Sequence, residues 1–214
     1  MTMAGNATRE RLIAESMRLF GERGYAGTSV ADIEAAAGLS SGAGSLYRHF
    51  PSKQALLAAG VRQQIDAGQH LLRLLADADD GAAIPLRERL IAVATAGLRR
   101  LEQEADLNRI MLKDLAHFPE LLDLARREEV ARVHQAVAAW LDAQLGARSD
   151  GQAGTGRRDT EGIAAVLVGA VSNFWMLRDI FGEHPAGISE ERYLASLVDA
   201  LMPSLPGVEK TLEN

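Results

Sequence analysis

The chain has 214 residues, 47% of them apolar and only 5% aromatic, with a formal net charge of −6. That length and apolar content allow one large domain or two small ones with a real core, and a composition thin in aromatic residues favours helix packing over a sheet. There is no cysteine, which excludes a disulfide framework, a thiolate nucleophile and a Cys-ligated metal, and fits a reducing, cytoplasmic setting.

In chain order, "MTMAGNATRERLIAESM" lacks the continuous apolar segment of a signal peptide. Thr8 is expected to cap a first helix, in which Leu12, Ile13, Met17 and Phe20 fall at helical spacing and Gly21 and Gly24 mark the end. "TSVADIEAAAG" predicts a short second helix with Thr28 or Ser29 as cap, Asp32 near its start, and Val30, Ile33 and Ala36 or Ala37 facing inward. Gly38 stops it, and Ser40 or Ser41 is expected to cap a third helix ending near Tyr47. Pro51 then breaks the chain, and Ser52 caps a long helix from Lys53 to the mid-70s. Leu39, Leu46 and Phe50 can pack under Ile33 and Phe20 to close a small three-helix core.

Beyond a loop at "DADDGAAIP", helical patterns run over 85–103, 106–116 and 119–146, with Pro119 in the first turn of the last. "GARSDGQAGTGRRD" (146–159) is a polar, Gly-rich linker. Two further helices cover 160–182 and 189–203, ahead of a tail at 207–214. The apolar stretch "IAAVLVGAVSNFWML" (163–177) is interrupted by Ser172 and Asn173, and is read as a buried helix of a soluble protein rather than a bilayer span. The expected fold class is all-α.

Two short helices joined by a Gly-containing turn make a helix-turn-helix unit, whose second helix enters the DNA major groove. Charge distribution permits this. Residues 1–60 hold six Lys/Arg against five Asp/Glu, so the acidity belongs to the remainder. Thr28, Tyr47, His49 and Lys53 fall at helix ends, where hydroxyls and cations suit phosphate oxygens. Lys53 in a first turn opposes the helix dipole, which favours an anionic partner. Direct base readout is limited to Ser41, Ser45 and Arg48, with methyl contacts from Ala43, so shape and phosphate positioning should weigh heavily in specificity.

Other chemistries are poorly supported. "GAGSLY" and "GTGRRD" follow no strand and lack the third glycine of a dinucleotide-binding turn. No nucleophile elbow, zinc-protease or EF-hand pattern occurs, so an enzyme is not expected. Asp114, His117 and Glu120 in "DLAHFPE", with His134, could be drawn as a metal site, but a histidine before a helix more often serves as a cap. No metal and no cofactor are expected.

"GYAGTSVADIEAAAGLS" followed by "LYRHFPSKQALL" closely resembles the N-terminal domain of the tetracycline-repressor (TetR) family of bacterial transcriptional regulators. The matching block runs from Arg11 to Leu57, with Gly24-Tyr25, Gly27-Thr28, Ile33, Ala37-Gly38, Ser40, Tyr47, His49-Phe50 and Lys53 in order. The resemblance implies that Thr28, Tyr47, His49 and Lys53 contact phosphates, and that the first half of "SSGAGSLY", with Ser40 and Ser41, supplies the base-reading surface. One departure stands out: "SGAGS" puts five residues between Ser40 and Leu46, where the family usually has three.

The resemblance further implies a DNA-binding domain at 1–54, a helical effector-binding and dimerisation body at 55–206 and a flexible tail at 207–214. The body would dimerise through helices 160–182 and 189–203. Physically, helix 160–182 is apolar around most of its circumference, and Gly162, Ala165, Gly169 and Ser172 permit close helix approach. A small, largely apolar effector would be met by Met111, His117, Phe118, Trp140, Asn173 and Met176, with Asp114 or Arg109 as charged anchor. The expected protein is a dimeric repressor released from its operator by that effector. The alternative is a DNA-binding regulator with no small-molecule effector, whose body serves only dimerisation or protein contacts.

Overall fold

The computed structural model describes residues 3–42, 44–76, 84–146 and 159–205. Every described element is helical: α1 (Met3–Arg23), α2 (Val30–Ala36), α3 (Lys53–Ala76), α4 (Leu86–Gln103), α5 (Ala105–Lys113), α6 (Pro119–Ala125), α7 (Ala131–Gly146), α8 (Thr160–Phe181) and α9 (Glu190–Leu201). Most of the expected 77–85 loop, the 146–159 linker and the 207–214 tail lie outside the described residues.

The chain forms two compact units, Met1–Gln69 with Glu104–Val130 and His70–Gln103 with Ala131–Asn214. The expected boundary after residue 54 falls inside the first unit. The reason is visible in its core. Alongside Leu12, Met17, Phe20, Ile33, Leu46, Phe50 and Leu57, the same buried cluster takes Leu107, Ile110 and Leu115 from the 104–130 segment. There α5 packs along α1, and the Lys113 ammonium donates to Gly21 O at 3.1 Å.

Local signals explain most ends. Ser29 caps α2 in a capping box: its hydroxyl accepts from Asp32 N at 3.1 Å, and the Asp32 carboxylate accepts from Ser29 N at 2.9 Å. Ser52 Oγ accepts from Ala55 N at 3.0 Å at the start of α3, as expected. Thr8 does not cap α1. The helix begins at Met3, and Asn6 donates to Glu10 one turn on at 2.9 Å, which continues it through Thr8.

Two expected helices are also broken. Residues 106–116 divide into α5 and a 3₁₀ turn at Leu115–His117, and 119–146 divides into α6, a π-turn at Arg126–Val130, and α7.

In the second unit α8 packs against α4, α7 and α9. Leu90 and Leu98 of α4, Leu141 of α7, Leu167, Val171 and Phe174 of α8, and Leu194 and Val198 of α9 are buried there. Arg87 pairs with Asp199 at 2.6 Å and Arg99 with Glu190 at 2.8 Å, tying α4 to α9 along the surface.

The helix expected to be buried at 163–177 is covered on one side only. One face of α8 is covered, while Ala165, Val166, Gly169, Asn173 and Ile180 are exposed. At 22 residues and mean hydropathy 1.4, α8 is the one described helix long and apolar enough to cross a bilayer by length and composition. It nevertheless carries Glu161, Arg178 and Asp179, and its covered face is already packed within the unit. Gly162 serves the helix end rather than close helix approach: its amide donates to the Asp159 carboxylate at 2.8 Å.

Candidate nucleic-acid interface

The segment between α2 and α3 differs most from expectation. No helix runs from Ser40 or Ser41 to Tyr47; the described residues make turns and a single 3₁₀ turn at Leu46–Arg48. Gly42 (φ +74°) and Gly44 (φ +68°) occupy the left-handed region, which ordinary residues resist and which an α-helix cannot contain. Leu46 and Phe50 anchor the far end in the core, so the segment is a loop held at its base.

Tyr47 is 57% exposed, and Arg48, Ser40 and Ser41 are exposed beside it in sequence. Ser45 and His49 are half-buried. The Ser41 hydroxyl donates to Ala31 O at 3.1 Å, which ties the loop to α2. The Arg9 guanidinium lies 4.9 Å from the Phe50 ring centre and adds a cation that sequence reasoning missed.

Thr28 and Lys53 are positioned differently. Thr28 is only 1% exposed, and its hydroxyl donates to Gly24 O at 2.9 Å and Leu19 O at 3.2 Å. The Lys53 ammonium donates to Tyr25 O and Thr28 O, both at 2.8 Å, and sits 4.1 Å from the Tyr25 ring centre. Burial pushes its pKa below the ordinary lysine value, and the Asp114 carboxylate opposes that shift. Both side chains therefore brace the 24–28 loop from within.

A second residue missed in the sequence is Glu34, fully buried in α2. Its Oε2 accepts from Gly42 N and its Oε1 from Leu46 N, each at 2.8 Å. A signal was available: position 34 is one turn after Val30 and one turn before Ala37, on the inward stripe where a charge is unusual.

The eight effector candidates do not fall in one unit. Arg109, Met111, Asp114, His117 and Phe118 belong to the first unit, and Trp140, Asn173 and Met176 to the second. Asp114 is buried and accepts from Tyr25 N at 3.1 Å; Phe118 meets the Tyr25 ring edge-on at 4.8 Å; Met111 packs on the same core. Arg109 lies 3.6 Å from Asp106, and His117 is exposed. In the second unit Trp140 is buried, Met176 half-buried and Asn173 exposed. Phe174 stacks on His184 at 5.1 Å and packs on Tyr193 at 4.5 Å, an aromatic group not anticipated from sequence.

A surface of hydroxyls, a phenol and a guanidinium on a rigid base can hold an anionic backbone, and it contains no paired nucleophile and base. Comparison with known proteins agrees with that chemistry. Residues 12–59 match the family model for bacterial regulatory proteins of the tetR family. The HTH-type transcriptional regulator CymR of Pseudomonas putida is 33% identical over 111 residues, covering 52% of this chain and 43% of its own length. The HTH-type transcriptional repressor KstR2 of Mycobacterium tuberculosis is 36% identical over 97 residues, covering 45% of this chain and 46% of its own length. The chain thus spans less than half the length of these curated relatives. A TetR transcriptional regulator from Chloroflexus aurantiacus has the same fold, with a TM-score of 0.71 over 94% of this chain and 97% of its own, at 21% identity. The relatives are named as transcriptional regulators. Residues 12–59 thus match the tetR-family model, and the chain shares its fold with a solved TetR transcriptional regulator.

Proposed function

We infer that the protein is a sequence-specific DNA-binding transcriptional regulator, a cytoplasmic dimeric repressor whose hold on its operator is weakened by a small, largely apolar effector. The observation that carries this reading is the exposed row of Ser40, Ser41, Tyr47 and Arg48 on a loop anchored in the core by Leu46 and Phe50. Tyr47 and His49 supply phosphate contacts, Arg48 joins Ser41 and Ser45 in base readout, and Thr28 and Lys53 act from inside by fixing the loop that begins α2. The name of KstR2 supports repression.

Dimerisation is assigned to α8 and α9. The exposed α8 face of Ala165, Val166, Gly169 and Ile180 is apolar and made partly of small residues, which suits a two-fold helix interface. Functionally, residues 1–54 read DNA and the remainder responds and dimerises. The segment 104–130 links those roles, since Lys113 and Asp114 hold Gly21 and Tyr25 directly. Effector-dependent displacement of that segment reaches the 24–28 loop that Lys53 braces. Coupling of this kind is typically about 1–3 kcal/mol.

Hydroxyl-radical footprinting on genomic fragments selected by the full chain tests the reading. Two protected half-sites about 34–36 Å apart, or a multiple of that, are expected of a two-fold head pair. Protection of a single site, or none, contradicts it.

A further inference from the structure

Burying a carboxylate is costly unless donors match its oxygens. Glu34 is fully buried, and both oxygens are matched from one short segment: Oε2 by the Gly42 amide and Oε1 by the Leu46 amide, each at 2.8 Å. The two amides bracket the stretch that is two residues longer than the family's usual spacing. Hydrogen bonds to an ionised acceptor are roughly twice as strong as neutral ones, so one side chain grips both ends of the loop. The Ser41 hydroxyl adds a third tie, to Ala31 O on the same helix.

The loop needs such a grip. Its glycines at φ +74° and +68° give it no helical register of its own, and glycine leaves the unbound chain many alternatives. A helix presents side chains at fixed spacing by its own hydrogen bonds. Here a carboxylate of the preceding helix takes over that task.

We propose that Glu34 is the positioning residue of a DNA-reading loop: it fixes Ser41, Gly42, Gly44 and Ser45 against α2, and so determines which sequence is recognised. Tyr47, outside the bracket, supplies affinity that does not depend on sequence. This inference rests on the DNA-binding reading above.

The test uses the full chain with duplexes selected from a random-sequence library, and scrambled duplexes of the same composition. Wild type is expected to prefer the selected duplex. Glu34→Ala should reduce that preference by about tenfold or more, the scale of a lost base contact, while affinity for the scrambled duplex and its salt dependence stay near wild type. Glu34→Gln, which keeps one acceptor oxygen and the side-chain shape, should fall between the two. Ile33→Val thins the core contact of the same helix without touching the loop and should keep the preference.

Hydrogen exchange on the free proteins gives a second readout. The Gly42 and Leu46 amides should exchange faster in Glu34→Ala, while the Ile33 and Ala37 amides stay protected. If both Glu34 variants fold and retain wild-type preference, or if Gly42 and Leu46 keep their protection, the role assigned to Glu34 is overturned and DNA binding stands. A wild type that prefers no sequence overturns the DNA-reading account, and this role with it.

Discussion

Lys53 holds two carbonyls and a ring at once, joining the first turn of α3 to the loop before α2. Lys53→Met keeps most of the apolar stem but leaves both carbonyls without that donor. It is expected to destabilise the fold by about 1–3 kcal/mol in urea unfolding and to weaken binding to every duplex. A lysine serving a phosphate alone would leave stability unchanged and reduce the salt slope by about one. Tyr47→Phe is the opposite case. Its hydroxyl is on an exposed side chain, so stability should change by less than about 0.5 kcal/mol, while affinity falls across all sequences. The sequence marked Thr28, Tyr47 and Lys53 alike as helix-end polar residues. It could not show that Tyr47 faces out while the other two donate inward, because that direction is set by packing against Leu19, Gly24 and Tyr25.

Individual helices follow their local chemistry where caps and periodicity agree. Ser29 and Asp32 close α2 reciprocally, and the Ser29 hydrogen bonds hold the Asp32 carboxyl below its ordinary value of 3.8. The group's folded pKa is depressed, so its stabilisation is fully present above the ordinary value and is lost as pH falls through the lower, folded one. Asp32→Asn should remove that acid-dependent component, measured as helix content between neutral pH and about pH 2. α2 and α3 were legible for the same reason: Ser29 and Ser52 each stand one residue before the first helical one. The expected third helix was not, although each glycine costs about 1 kcal/mol in a helix and two of them sat in its path. The serine caps outweighed propensity in that expectation, and the loop clamped by Glu34 shows propensity prevailing. Replacing Gly44 by Ala should strain the loop at φ +68°, lowering operator preference while the rest of the fold holds; selected-duplex binding and thermal unfolding measured together would show it.

At the scale of the molecule, the two compact units do not follow the division suggested by the sequence. Helical periodicity identifies which face of a helix is buried, but not which distant element buries it. That is why the alliance of α1 with α5 was invisible, although Leu107 and Ile110 were plainly core residues. The exposed α8 face was easier to anticipate, because an apolar helix that is covered on one side needs a partner on the other. Val166→Glu, at an exposed position of that face, should leave the helix content of the monomer intact and shift the protein to monomer in sedimentation. It should also cost about a hundredfold in operator affinity, since two linked heads bind far more tightly than one.

On the function proposed above, the chain reads one DNA sequence through the α2–loop–Tyr47 surface. Fluorescence anisotropy of the full chain tests it most directly, on duplexes tiling the DNA upstream of its own gene and on genomic fragments it selects, each at two salt concentrations. One duplex should be bound with Kd of about 10⁻⁸ M or tighter, far more tightly than the rest, and that binding should weaken steeply with salt. Equal, weak binding to every duplex, or binding indifferent to salt, would contradict it.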